Sequence, residues 1–323
     1  MRHVDVTTIG SISHDTYIMS SRVHIMRSEK KEKIKQREVH FPFGTKIELD
    51  HLQQEVGGGA SNAATTFHLF DFRTSVISQC GDDPSGEFII KGLQAMQVDT
   101  ENIQVIKKGE SAQSIIFLDA QGERTVFVYR GVASHFSDHH VKKVGNCESK
   151  WLYVTSVGGY VPLLRSIIKA REARGVNIAW NPGGAEFAMP RSVMKNMLQA
   201  VDVLFINNDE ARLLFGTTPL SRAKKLVSGA LVVTKGERGA EIFIGNKHIS
   251  ITVKPVKAKD TTGAGDAFGS GFISGLMHYP GDFQKAGIIG SANAMSEVLE
   301  VGAKQGLLGP KTISRFAHRI KIH

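Results

Sequence analysis

Apolar and polar positions along this chain group into short strand patterns that alternate with helical ones. Residues 3 to 12 (HVDVTTIGSI) alternate and then run apolar toward Gly10, which predicts a first buried strand ending at a cleft. Thr74 to Cys80 (TSVISQC) predicts the next strand and Glu87 to Gln97 a helix, an order that builds a parallel βαβ unit. Ser114 to Leu118 and Arg124 to Arg130 are β-rich and separated by Asp-Ala-Gln-Gly, the spacing of a hairpin. From Trp151 the alternation is regular: strand at 151 to 155, helix at about 161 to 174, strand at 176 to 180, then strands at 203 to 206 and 231 to 234. The pattern as a whole predicts an α/β protein with a mainly parallel central sheet.

Residues 16 to 50 break this rhythm. They are irregular and charged, with Phe-Pro-Phe-Gly at 41 to 44 and an Ile-Glu-Leu alternation at 47 to 49, and read as short strands projecting from the core. The run Arg22 to Arg37 mixes Glu29 and Glu32 with its basic residues, as a solvated surface segment does. The hairpin is not flanked immediately by helices, so it joins residues 16 to 50 in a small sheet outside the main one.

Composition narrows the function. A chain of 323 residues with 41% hydrophobic and 22% charged residues buries a large core and needs no second domain. The formal net charge is +9, but the basic residues are dispersed and no aromatic-interleaved basic motif accompanies them. An anionic substrate such as ATP therefore accounts for part of the charge better than nucleic acid does. No apolar run approaches the ~20 residues needed to span a bilayer, and the N-terminus enters a strand without a signal-peptide pattern, so no membrane partner and a cytoplasmic location are expected. Cys80 and Cys147 lie far apart with no CxxC or Cys/His cluster, which argues against disulfides and zinc. The histidines, including His139-His140, show no HExxH spacing and are assigned no catalytic role.

The candidate chemistry sits at strand ends. Asp260-Thr261-Thr262-Gly263-Ala264-Gly265-Asp266 reads as a loop opening a helix, whose small residues let successive N–H groups point into one anion-binding cavity. Asp266 stands at the helix mouth, where a general base takes a proton from a hydroxyl attacking a phosphoryl group. Gly57-Gly58-Gly59 permits close approach of a ligand, and Asn62 offers a donor and an acceptor to a polyol. Asp15, beyond the first strand, is placed to accept bonds from substrate hydroxyls. Asn207 to Glu210 offers polar groups to a water-shelled Mg²⁺ or caps a helix, and Thr234 to Gly239 is a tight turn suited to a nucleotide phosphate. Taken singly, each of these segments also reads as an ordinary turn or cap.

Together and in this order, the motifs resemble the ribokinase-like, or PfkB, family of carbohydrate and nucleoside kinases over nearly the whole chain. The family's substrate-binding Asp is matched by Asp15, its Gly-Gly-x-x-x-Asn by Gly57, Gly58 and Asn62, and its Asn-x-x-Glu by Asn207 and Glu210. Its Thr-x-Gly-x-x-Gly is matched by Thr234, Gly236 and Gly239, and its Asp-Thr-x-Gly-Ala-Gly-Asp is intact at 260 to 266. The resemblance implies a single unit over residues 1–323: a Rossmann-like three-layer core with a small β lid formed by about 16–50 and 112–131. It implies Asp266 as general base, the N–H groups of Gly263, Ala264 and Gly265 as an anion hole, Glu210 and Asn207 around Mg²⁺, and Thr234, Gly236 and Gly239 along ATP. Asn293 is expected to face the adenine.

Asp260 and Thr262 match two positions that hold K⁺ in many relatives, and Gly302-Ala303 resembles a segment near that ion, but the family's Pro-Ser reads Gln305-Gly306 here. A neutral sugar is the expected acceptor. A nucleoside is the alternative, with Phe41, Phe43 and Phe127 as stacking candidates, while Arg124 and Arg130 raise the option of an acidic or phosphorylated sugar. A homodimer through lid strand edges is a further expectation, and a non-catalytic sugar or nucleotide sensor is the rival from another class.

Overall fold

The computed structural model describes residues 4–20, 24–27, 37–40, 43–118 and 124–323. The first half of the chain forms β1 (Val4–Ile9), β2 (Ser13–Met19), β3 (His24–Arg27), β4 (Arg37–His40), β5 (His51–Gly57), α1 (Gly59–Leu69), β6 (Thr74–Gly81), α2 (Pro84–Ala95), β7 (Ile103–Ile106), β8 (Gln113–Leu118) and β9 (Arg124–Tyr129). Next come α3 (Asp138–Gly145), β10 (Ser149–Val154), α4 (Val161–Arg174), β11 (Asn177–Trp180), α5 (Gly184–Phe187), α6 (Arg191–Ala200), β12 (Val203–Asn207), α7 (Asn208–Phe215) and α8 (Leu220–Ala223). The chain continues through β13 (Ala230–Thr234), β14 (Ala240–Ile244), β15 (Lys247–Val253), α9 (Ala264–His278), α10 (Phe283–Glu297), α11 (Ser314–Ala317) and β16 (Ile320–Ile322).

The main sheet runs β16-β15-β14-β13-β12-β11-β10-β1-β6-β7. It is parallel from β13 to β7, while β14, β15 and β16 add an antiparallel edge. Alternate strand residues face opposite ways, which is how one sheet serves two helical layers. Leu152, Val154 and Leu204 pack with Leu163 and Ile167 of α4 and Met197 of α6. Tyr153, Val203 and Phe205 pack on the other side with Phe67 of α1, Phe268 and Phe272 of α9 and Met295 of α10. The expected three-layer α/β core is present. Strand β1 has β10 on one side and β6 on the other, so its carboxyl end is a topological switch point where a crevice opens.

Helix α2 starts at Pro84, earlier than the predicted 87, because Asp83 is its N-cap. The Asp83 carboxylate accepts from Gly86 N at 2.7 Å, and Pro84 fits the first helical position without needing an N–H donor. The antiparallel edge from 240 to 253 was not anticipated, since two strands joined by a two-residue turn show no helical spacing between them.

A second, four-stranded sheet runs β5-β2-β8-β9, and β3 pairs with β4. The hairpin expected at 114–130 is β8 with β9, although its turn lies outside the described residues. Two expectations change. Residues 47–49 form no strand; the pairing partner of β2 is β5 at 51–57. Asp15 lies within β2 of this sheet, opposite Glu55 and Ser114, and not just past the end of the first strand. The charge run 22–37 and Phe41 fall largely or wholly outside the described residues. Among the described residues, no helix is long and apolar enough to cross a membrane.

Candidate active site

The crevice beside β1 is entered from the four-stranded sheet. Asp15 is buried and its Oδ1 accepts from Ser13 Oγ at 2.8 Å. A Cβ at Gly57 would overlap the Asp15 carboxylate, so glycine there leaves room for the acid group. Gly58 follows as the N-cap of α1, and Asn62 lies in that helix's first turn. Asn62 Nδ2 donates to Asp266 Oδ2 at 3.0 Å, joining two residues 204 positions apart in the chain.

Asp266 belongs to the first turn of α9, behind a loop that is braced from within. Asp260 is fully buried; its Oδ1 accepts from Thr262 N at 2.9 Å and Thr262 Oγ1 at 2.7 Å, and its Oδ2 accepts from Gly302 N at 3.1 Å. Gly263 has φ 82°, and a Cβ there would come within 2.6 Å of the Ala303 Cβ. Only glycine tolerates both conditions. Among the described residues the N–H groups of Gly263 and Gly265 have no hydrogen-bond partner, and that of Ala264 has only a 3.4 Å contact to Thr261 O. Free N–H groups at the positive end of a 15-residue helix suit an anionic ligand. Burial pushes the Asp266 carboxyl upward, while the Asn62 bond and the Lys304 charge pull it back. A carboxylate with a raised affinity for protons is a better general base.

A cavity of about 320 Å³ adjoins this loop, lined among others by Thr234, Gly236, Gly239, Ala264, Gly265 and Met295. It therefore brings together the predicted turn at 234–239 and the start of α9 at Ala264 and Gly265. Asn207 pairs with Thr234 across adjacent strand ends. Its Oδ1 accepts from Asp209 N at 2.9 Å and Glu210 N at 3.0 Å, while Glu210 Oε2 accepts from Asn207 N at 2.8 Å, a reciprocal helix cap. Burial raises the Glu210 carboxyl. Its other oxygen has no partner among the described residues, and among them no group of three His, Cys, Asp or Glu is placed to hold a metal ion. One available carboxylate oxygen fits an ion that keeps its waters and not an all-protein cage, so the donor set suits Mg²⁺ bound together with phosphates.

Asn293 does not face this cavity. It is fully buried, its Nδ2 donates to Ala267 O at 2.8 Å and its Oδ1 accepts from Leu308 N at 2.8 Å, so it ties α10 to α9 and to the segment after α10. Ser291, Ala294, Met295 and Val298 line the cavity instead, the i, i+3, i+4, i+7 face of the helix. Ser291 Oγ is buried without a partner there, a polar atom available to a ligand that the sequence reading missed. The helical phase, counted from Met295, points to it.

Three more residues lie at or beside the site: Lys304 and Glu297, which the sequence did not single out, and Arg124, which it offered only for an acidic or phosphorylated sugar. Lys304 Nζ donates to Asn62 Oδ1 and Ser61 Oγ, each at 3.0 Å, and to Val56 O. Arg124 of β9 donates from Nη1 to Thr261 Oγ1, linking the four-stranded sheet to the loop before α9. Glu297 is fully buried and neither of its carboxyl oxygens has a hydrogen-bond partner among the described residues. Burial first, then Asp260 and Asp266, pushes Glu297 up to about 9. Between the ordinary carboxylate range and that value the unfolded chain loses this proton while the folded chain keeps it, so the group costs stability as pH rises. Glu297→Gln is expected to melt ~2–4 °C above the wild type at pH 8, the gap closing toward pH 5. Equal melting temperatures at both pH values in a thermal shift series would show that the carboxyl is compensated in the folded protein.

The register of the four-stranded sheet settles where its aromatic residues point. Asp15 pairs with Ser114, which pairs with Val128, whereas Thr16 pairs with Ile115, which pairs with Phe127. Phe127 is therefore on the face opposite Asp15, and Phe43 is fully exposed, so neither stacks over this crevice. Arg124, four residues before Val128, shares the face of Asp15. Arg130 is exposed.

The pattern described as pfkB family carbohydrate kinase matches residues 23–308. Among curated proteins, the ribokinase of Staphylococcus aureus is 25% identical over 270 residues, covering 80% of this chain and 87% of that protein. A nucleoside kinase of Methanocaldococcus jannaschii is 24% identical over 291 residues, covering 86% of this chain and 90% of that one. Among solved structures, the Burkholderia thailandensis nucleoside kinase in complex with inosine superposes with a TM-score of 0.77 at 20% identity, covering 97% of this chain and 98% of that one. The Arabidopsis thaliana ribokinase complexed with ribose and ATP gives 0.74 at 20% identity, with 98% and 99% covered. At such identities these structures establish the fold.

Proposed function

Since the chain belongs to the pfkB family of carbohydrate kinases, we propose that it transfers the terminal phosphoryl group of ATP to a hydroxymethyl group of a neutral sugar. The observation that carries this reading is the 3.0 Å bond from Asn62 to Asp266, which joins the glycine-rich entry of α1 to the N-terminus of α9. A polyol held by Asp15 and Asn62 then has a hydroxyl beside Asp266 and beside the free N–H groups of Gly263 and Gly265. Asp266 takes the hydroxyl proton, the freed oxygen forms the new bond to phosphorus, and the bond to the leaving ADP breaks. The N–H groups of 263–265 stabilise charge on the phosphoryl oxygens, so positioning and electrostatics carry the rate.

ATP fits along Thr234, Gly236 and Gly239 in the 320 Å³ cavity, with Ser291 Oγ available to its base. Glu210 and Asn207 would hold the water shell of Mg²⁺, which when bound would supply charge neutralisation at the phosphates. The four-stranded sheet acts as a lid, and Arg124 on Thr261 is the contact that closes it over the loop. A monovalent cation is left out of this reading, because the Asp260 carboxylate is turned onto Thr262 and Gly302.

Two features favour a neutral sugar over the alternatives. Phe43 and Phe127 give no aromatic platform for a nucleobase, and Lys304 spends its three donors on protein acceptors, leaving none for a substrate anion. The test is a phosphorylation screen with ATP and Mg²⁺ across pentoses, hexoses, acidic and phosphorylated sugars, and nucleosides. Turnover is expected with a neutral pentose or hexose. Turnover confined to nucleosides would replace the acceptor class, and ATP binding with no acceptor phosphorylated would support a sensor.

A further inference from the structure

Lys304 follows Gly302 and Ala303 in the segment after α10, and its ammonium reaches the entry of α1. A protonated lysine has three donors, and here they meet Asn62 Oδ1, Ser61 Oγ and Val56 O. Ser61 Oγ in turn donates to Gly57 O at 2.6 Å, so this hydroxyl presents a lone pair to the ammonium. The Asn62 carboxamide lies between two ions: the ammonium at 3.0 Å from Oδ1 and the Asp266 carboxylate at 3.0 Å from Nδ2. Turning the amide over would set its NH₂ against the ammonium and its carbonyl against the carboxylate. Both contacts would become repulsive.

We propose that Lys304 is a positioning residue for phosphoryl transfer: its ammonium fixes the Asn62 carboxamide so that Nδ2 holds Asp266 Oδ2, leaving Asp266 Oδ1 to the acceptor hydroxyl. This rests on the reading of Asp266 as the base. A carboxylate tethered through one oxygen keeps the other aimed, which is what near-attack geometry requires. The groups facing Lys304 are Glu55 of β5, Asp15 of β2 and Asp266 of α9; those facing Asp266 are Asn62 of α1, Tyr153 of β10, Glu297 of α10 and Lys304 itself. Burial lowers the Lys304 ammonium to about 8, while the three carboxylates oppose that shift. The positive charge also favours the ionised form of Asp266.

Steady-state kinetics from pH 5 to 10 on Lys304→Met and Lys304→Arg test the proposal. Lys304→Met is expected to lower kcat about 10- to 100-fold with an unchanged KM for ATP, and to move the acid limb of the kcat/KM profile to higher pH. Lys304→Arg retains the charge, so its acid limb stays where the wild type has it. A lysine that only supports the fold would lower the amount of folded enzyme and leave the limb in place, and that result overturns the proposal. If Lys304→Met does not fold, Lys304→Gln carries the same measurement. Asp266→Asn separates the two readings. Retained turnover in that variant overturns the base assignment, whereas its loss together with an unmoved limb in Lys304→Met overturns the positioning role alone.

Discussion

Asp266→Asn is expected to lower kcat by about three to four orders of magnitude while leaving ATP affinity unchanged. The amide has almost the same shape, so it keeps its place in the first turn of α9 and the N–H groups of 263–265 remain exposed. What disappears is the proton acceptor. The substitution also disturbs Asn62, whose Nδ2 now has an acceptor only if the new amide presents its carbonyl. That choice is open to the variant, so the fold is not at risk. Turnover measured by ADP release, set beside ATP affinity from calorimetry, distinguishes loss of chemistry from loss of binding. Turnover within about tenfold of the wild type would remove Asp266 from the role of base.

Gly57→Ala is expected to raise the KM for the acceptor by about 10- to 100-fold with little change in the KM for ATP. The added methyl occupies the space of the Asp15 carboxylate, which cannot simply step aside, because Ser13 holds its Oδ1 and β2 is paired on both sides. The carboxylate must rotate away from the crevice, and charge-assisted bonds to substrate hydroxyls are lost at about 1.5–3 kcal/mol each. A double-mutant cycle checks the route of the effect. If Gly57 acts through Asp15, Asp15→Ala and the pair Gly57→Ala/Asp15→Ala have the same acceptor KM; additive losses would mean that Gly57 contacts the substrate itself.

The fold was legible wherever a segment's period matched its environment. Six of the seven parallel strands of the main sheet, β1, β6, β10, β11, β12 and β13, are largely buried, and their apolar runs between helical patterns announced them; the partly exposed edge strand β7 was not among those expected. The antiparallel edge at 240–253 was less visible because no helical pattern separates its two strands, and the strand at 51–57 (HLQQEVG) because it carries too few apolar positions to stand out. The site was legible in the same uneven way. Thr234 and Gly236 share one cavity with Ala264 and Gly265, and Asn62 reaches Asp266. Asn293 lies on the wrong face of its helix and Ser291 on the right one. Composition identified that helix but not its rotation, which packing against α9 decides.

What the sequence determined by itself is the set of residue types that phosphoryl chemistry requires at strand ends: a carboxylate at a helix mouth, glycines where the backbone must turn or a neighbour must approach, and an amide beside them. Those requirements are local and survive in the order of the motifs. What only the tertiary structure decided is which distant groups close the circuit. Lys304 reaches the entry of α1 from the segment after α10, Arg124 reaches Thr261 of the loop from a strand of the second sheet, and Glu297 is buried at the end of α10. A long side chain's charge acts where its tip lies, and the tip's position depends on how whole elements pack. Asp260 to Asp266 is thus recognisable in one dimension, while the ammonium beside Asn62 is placed only in three.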